Sequence, residues 1–300
     1  MDGPWGNLKL FAGEPPFPAE ADAPAEIPAP ASQPVALRSL PPDPSLLANR
    51  ELIRPGGYRR AAPGLVPFSA AWYDELEQKR YQRHGVWLPA ALEFGRHPGE
   101  SLLLLGPGVG SDAVRYIQTG TPVTVGITPL DHPDIVRENL TRHALPARLV
   151  DVSGPVLPFP DGTFDVITWN ALYDPAPPDP ARVGELFRVL KAGGKVIGLF
   201  PAHYDAGYWQ DLLLPLQWLY WRRPADPATG TKTTARRLCR LFDAFTRQKV
   251  AKRHLRRAEL PHPWRVLPLV LLERLIGRVL VFKAFKPLSA RTATHAALAA

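Results

Sequence analysis

Leu102-Leu-Leu-Leu-Gly-Pro-Gly-Val-Gly-Ser-Asp112 is the stretch that decides the fold. Four consecutive leucines read as a strand buried on both faces, as in a parallel sheet. Gly106, Gly108 and Gly110 then break the strand. Ser111 and Asp112 are placed to cap a helix running through Gln118. Strand, glycine turn and helix start make the first βα unit of a doubly wound fold. Glycines let a ligand approach the backbone, and the free N–H groups of a helix start favour an anionic group. A dinucleotide fingerprint would need glycine at position 111, where serine stands, so the loop alone admits a plain structural turn.

Outward from this unit, strand and helix alternate. Val123–Thr128 is a β-branched strand, and a helix follows from Pro133 to Leu140. Ala147–Asp151 reads as a third strand and Phe164–Asn170 as a fourth. Pro180–Leu190 has helical spacing, with Gly193-Gly194 expected to close that helix, and Lys195–Phe200 is a fifth strand. Alternation from 102 to 200 argues a parallel sheet with right-handed crossovers. Before it, residues 68–94 read as a helix divided at Pro89. Beyond it the spacing predicts helices over 203–220, 234–245 and 264–276, a strand over 248–255 and a final strand over 278–286.

Composition bounds the rest. Of the 36 prolines many fall in the first 67 residues, which lack an apolar period and read as a disordered arm. The single cysteine, Cys239, excludes an intrachain disulfide and a cysteine zinc cluster, and no metal site is expected. No signal peptide is apparent and no apolar run is long enough to span a bilayer, so a cytoplasmic chain without a transmembrane segment is expected. The net charge of +8 concentrates between Arg236 and Arg257. Such a run can meet nucleic acid, anionic lipid or an acidic substrate, but without a nucleic-acid-binding signature it reads first as a solvated basic face. No specific nucleic-acid partner is expected. Oligomeric state is not legible.

Several motifs stand in one order: the glycine loop, Val125-Gly-Ile-Thr128, Leu157-Pro-Phe-Pro-Asp-Gly-Thr-Phe-Asp165 and Glu185-Leu-Phe-Arg-Val-Leu-Lys-Ala-Gly-Gly194. Over roughly 68–287 the chain resembles the class I S-adenosylmethionine-dependent methyltransferases of the type 11 family. The resemblance implies an α/β, doubly wound, mostly parallel seven-stranded sheet of Rossmann-like form. One strand near the C-terminus, over Val279–Phe285, would be reversed between the fifth and sixth. The domains are then an arm over 1–67, a methyltransferase-like domain over 68–287 and a loose tail over 288–300.

The resemblance also implies S-adenosylmethionine as cofactor and methyl transfer to a small-molecule acceptor. Gly106, Gly108 and Gly110 would meet its methionine part and ribose. Asp151 and Val152 would meet the adenine, and Asn170 and Ala171 the methionine end and substrate. Two positions depart from the family pattern. Leu104 and Thr128 stand where relatives carry acids, the second of which holds the ribose hydroxyls. Thr128 offers one neutral hydroxyl in its place; Asp131 and Asp134 follow at a different spacing. Tyr173-Asp174 stands where many relatives have two histidines. Asp165 is expected to serve structure.

No catalytic residue is fixed by the sequence. His203 and Tyr204, or Tyr173 and Asp174, are candidate bases if the acceptor carries a proton. The competing reading is a non-catalytic binding or scaffold protein on the same fold, motivated by the missing acids. A nicotinamide-dependent dehydrogenase is a third reading, opposed by the glycine spacing. The aromatic segment 208–221 would favour an apolar acceptor, or would simply pack.

Overall fold

The computed structural model describes residues 66–146, 148–209, 230–255, 260 and 265–288. Residues 1–65 of the arm expected over 1–67, most of the aromatic segment and the tail beyond 288 lie outside these residues.

Seven strands form one sheet: β1 Leu102–Leu105, β2 Val123–Ile127, β3 Arg148–Asp151, β4 Phe164–Asn170, β5 Leu190–Pro201, β6 Thr246–Arg253 and β7 Val279–Phe285. Their order is β3-β2-β1-β4-β5-β7-β6. The first five pair in parallel, and β7 runs antiparallel to both β5 and β6. This is the mostly parallel sheet with one reversed strand that the resemblance implied.

The four leucines explain why β1 is central. Leu103 and Leu105 enter one apolar cluster with Phe164, Ile167, Leu186 and Phe282. Leu102 and Leu104 enter another with Val114, Val125, Val136 and Ile197. Successive strand residues point to opposite faces, so one apolar run feeds two cores. Each full burial of such a side chain contributes about 1.5–3 kcal/mol.

Helices cover both faces. Before the sheet come α1 (Ala70–Gln78), a π-helical turn (Lys79–His84) and α2 (Leu88–Leu92). The break in the expected 68–94 helix therefore lies at Gly85, not Pro89. Pro89 instead sits in the first turn of α2, where its missing N–H costs nothing. Then come α3 (Ser111–Gln118), α4 (Pro133–Arg142), α5 (Pro180–Val189), α6 (Ala235–Leu241) and α7 (Leu269–Ile276).

Two turn expectations are corrected. Neither Ser111 nor Asp112 caps α3: the cap is Gly110, left-handed at φ 90°, with no side-chain bond. Gly193-Gly194 does not close α5, which ends at Val189. The two glycines lie in a bulge at the head of β5, between the Phe164–Leu190 and Val166–Lys195 pairings. There Gly193 takes φ 79° and donates its N–H to Lys286 O, a conformation that favours glycine.

The sheet ends at β6, whose Arg247, Lys249 and Arg253 are exposed. A basic edge of this kind resists pairing with another strand. Arg236, Arg237 and Arg240 on α6 are exposed as well.

Two of the family motifs hold each other. Glu185 on α5 accepts the N–H of Leu157 at 2.8 Å. Arg188, one turn on, donates to Leu157 O, Phe159 O and Asp161. Asp165 accepts from Ser101 N, Ser101 Oγ and Lys191 Nζ. Burial alone would raise its carboxyl, but these bonds outweigh it and hold the group below its ordinary value. The motif carboxylates thus clamp loops to α5 and β1, as the structural expectation for Asp165 has it.

Candidate functional site

A cavity of about 450 Å³ opens where β1, β2, β3 and β4 end. That is the switch point of the sheet, since the connection leaving β1 runs one way to β2 and the connection leaving β4 runs the other way to β5. Its volume falls in the range of small-molecule and cofactor sites. Leu105, Gly106 and Gly108 lie at the end of β1, Thr128 to Asp131 after β2, Val152 to Pro155 after β3, and Trp169 and Asn170 at the end of β4.

Glycine is required in the floor. Gly106 has φ 69°, and a Cβ there would lie 2.2 Å from the backbone oxygen of Asn170. Gly108 has φ 59° and lines the cavity. Gly110 lies outside the lining. Its Cβ would press on Val136 of α4 at 3.2 Å, so it serves helix packing as well as the cap.

After β2 the chain turns sharply. Asp131 N donates to Thr128 O at 3.0 Å. Asp131 Oδ2 then accepts Thr128 N at 2.9 Å and Thr128 Oγ1 at 2.6 Å. This turn brings a carboxylate back to the strand end, into the cavity wall, although the sequence has threonine there. Asp131 is buried. Asp134 differs: it is on the surface of α4, paired with Arg137.

Asp151 does not line the cavity. It is exposed, and its Oδ1 is taken by Ser153 N at 2.8 Å and by the Ser153 hydroxyl. Val152 and Ser153 do line the cavity. Leu104, the other departure from the family, is wholly in the core, where an unpaired carboxylate would be costly.

Tyr173 and Asp174 line the far wall, whereas His203 and Tyr204 are exposed and outside it. Ala171 is buried just behind the lining. Three further contributors were not singled out from the sequence. Trp169 adds an aromatic wall, its ring edge-on to Phe200 at 5.3 Å. Asp179 caps α5 by accepting Arg182 N at 2.7 Å. Arg182 donates to Val152 O at 3.0 Å and holds the loop after β3 to α5. The signal was present in Asp174-Pro-Ala-Pro-Pro-Asp-Pro-Ala-Arg182, a proline-stiffened loop ending in a helix cap.

Asp131, Asp174 and Asp179 outnumber Arg182 in the lining. The cavity therefore suits a ligand carrying positive charge with hydroxyl donors. Among the described residues no group of three metal-binding side chains occurs, and no helix is long and apolar enough to cross a membrane.

Comparison with known proteins agrees with this geometry. Residues 103–198 match the family model for a methyltransferase domain. The ubiquinone/menaquinone biosynthesis C-methyltransferase UbiE of Francisella tularensis is 28% identical over 149 residues, which are 47% of this chain and 59% of that protein. Its counterpart in Methylobacterium nodulans is 33% identical over 130 residues, 41% of this chain and 51% of that one. The sterol 24-C-methyltransferase erg6 of Schizosaccharomyces pombe is 33% identical over 137 residues, 44% and 35% respectively. The chain thus spans between a third and three-fifths of the length of these relatives. The family-model match, the strand order and the glycine-floored cavity agree in giving residues 103–198 the methyltransferase domain of the S-adenosylmethionine-dependent kind.

Proposed function

We propose that the chain transfers a methyl group from S-adenosylmethionine to a small-molecule acceptor in the cavity at the ends of β1 to β4. The observation that carries this reading is the turn joining Thr128 to Asp131. It supplies an acid at the strand-two end that the sequence appeared to lack. Asp131 is assigned to the ribose hydroxyls, Gly106 and Gly108 to the close backbone approach, and Val152 and Ser153 to the adenine. Asn170 is assigned to the methionine end. Gly110 and Asp151 keep only indirect roles, in the helix start and in the loop after β3.

When bound, the cofactor supplies an electrophilic methyl group on a sulfonium. The protein's task is then to align an acceptor behind that methyl and to keep water out. Trp169 and the prolines 177 and 178 give the cavity apolar walls fitted to exclude water. Tyr173 and Asp174 stand where an acceptor proton could be taken, if the acceptor has one. The relatives described above are named for ubiquinone/menaquinone biosynthesis and for sterol methylation, and an apolar ring-bearing acceptor is consistent with the Trp169 wall.

The non-catalytic reading rested on the two missing acids, and Asp131 removes half of that support. Titration calorimetry with S-adenosylmethionine tests the proposal, followed by methyl-release assays with Asp174→Asn and Tyr173→Phe. Binding without turnover on any acceptor offered would return the scaffold reading.

A further inference from the structure

We propose that α7, together with the basic edge strand β6, docks this protein on an anionic lipid surface. Among the described residues eleven large apolar side chains are exposed, and five fall within residues 266–275: Val266, Leu267, Val270, Leu271 and Leu275. Scattered exposed leucines need no explanation, but a contiguous apolar face does. The inner side of α7 is already satisfied. Leu272 and Ile276 pack with Ala206, Leu255 and Leu260. The helix is thus apolar on both sides, which is costly in water unless the outer side meets another apolar phase.

The surrounding charge selects that phase. Arg274 is exposed on α7 itself, and Arg247, Lys249 and Arg253 are exposed on β6. The two elements are joined: Lys252 Nζ donates to Leu275 O at 2.7 Å and to Tyr204 O at 2.7 Å, and Arg253 pairs with Glu273. The whole chain carries +8. Two copies meeting through this face would bring like charges together, which opposes self-association. Anionic headgroups meet the basic rim while the leucines enter the acyl boundary, the arrangement of an interfacial amphipathic helix. The β5–β7 register, with Pro201 opposite Val279, sets α7 at the carboxyl-end edge of the sheet. That is also the edge that holds the cavity, so a docked protein would present its site beside the membrane. The proposal stands on α7 and β6 alone and does not depend on methyl transfer.

The test is sedimentation of the full chain with vesicles of phosphatidylcholine alone and of phosphatidylcholine with phosphatidylglycerol. Binding is expected to favour the anionic vesicles by roughly tenfold or more and to weaken as salt rises. The exposed-site double variant Leu271→Asp/Leu275→Asp is expected to reduce it by on the order of tenfold or more, with an unchanged melting temperature. Arg247→Glu/Lys249→Glu is expected to reduce it comparably. The proposal is overturned by no binding to either vesicle or by equal binding to both. It is also overturned by anionic binding that survives the leucine substitutions. A concentration-dependent dimer abolished by those substitutions, without vesicle binding, would make a second copy the occupant instead.

Discussion

Arg80 grips Asp112 with two hydrogen bonds, Nε to Oδ1 at 3.1 Å and Nη2 to Oδ2 at 2.6 Å, and both side chains are buried. Tyr81 adds a third bond to Oδ1 at 2.6 Å. The pair joins the π-helical turn before the sheet to the first turn of α3, directly behind the glycine loop. Removing one partner leaves a buried charge without compensation, which costs about 3–5 kcal/mol. Asp112→Ala is therefore expected to lower unfolding free energy by about that amount, measured by urea denaturation. Arg80→Met/Asp112→Leu together are expected to be less destabilising than Asp112→Ala alone. If the single substitution costs under about 1 kcal/mol, the pair is not what fixes the helix behind the loop.

Glu93 provides an acid-sensitive brace. Its carboxylate takes Lys195 and Lys283 at 2.5 Å each, joining the segment after α2 to β5 and β7. Burial alone would raise the carboxyl, but the lysine bonds prevail and hold it at about 2, against an ordinary 4.5. A depressed folded-state value adds stability that is fully present above pH 4.5 and lost as pH falls toward 2. The expected loss across that window is at most about 3 kcal/mol. Glu93→Gln should flatten the acid limb of a stability-versus-pH curve over this range. An unaltered acid limb would show that the brace contributes nothing.

The cavity floor separates binding from folding. Gly108→Val places a branched side chain on the cavity lining at a positive φ. It should cost about 1–2 kcal/mol of stability and reduce cofactor affinity by at least about tenfold. Gly106→Ala has a different fault, since its Cβ meets Asn170 O at 2.2 Å and β1 must shift from β4. It should cost more stability than Gly108→Val, read by thermal melting. Equal melting temperatures would contradict the close approach of Gly106 to the Asn170 backbone.

Much of the fold was legible because β1 is so unambiguous. Four leucines that feed two cores fix a central parallel strand, and the β-branched runs at 123–127 and 164–170 fall beside it. The site was less so. Asp131 reaches the end of β2 through a turn closed by its own N–H, and sequence spacing cannot show a chain folding back on itself. Asp151 makes two bonds that its position does not announce, its Oδ1 accepting from the N–H and the hydroxyl of Ser153. Asp112 looked like a cap, but the demand came from Arg80, 32 residues earlier. Arg182 bore no periodic signal, because its role is set by a backbone oxygen on another loop.

The central claim is that Asp131 replaces the missing acid at Thr128. Losing a hydrogen bond to a charged group costs about 1.5–3 kcal/mol, or roughly 10- to 150-fold in affinity. Thr128→Asp, which sets a second carboxylate beside the first, should give little gain. The decisive measurement is calorimetric titration of S-adenosylmethionine into the parent protein and Asp131→Ala, with melting curves to establish that both are folded. Binding by the parent, weakened by that factor or more in a folded Asp131→Ala, is the result predicted. Equal affinity in the two proteins, or no binding by the parent at millimolar cofactor, would contradict it.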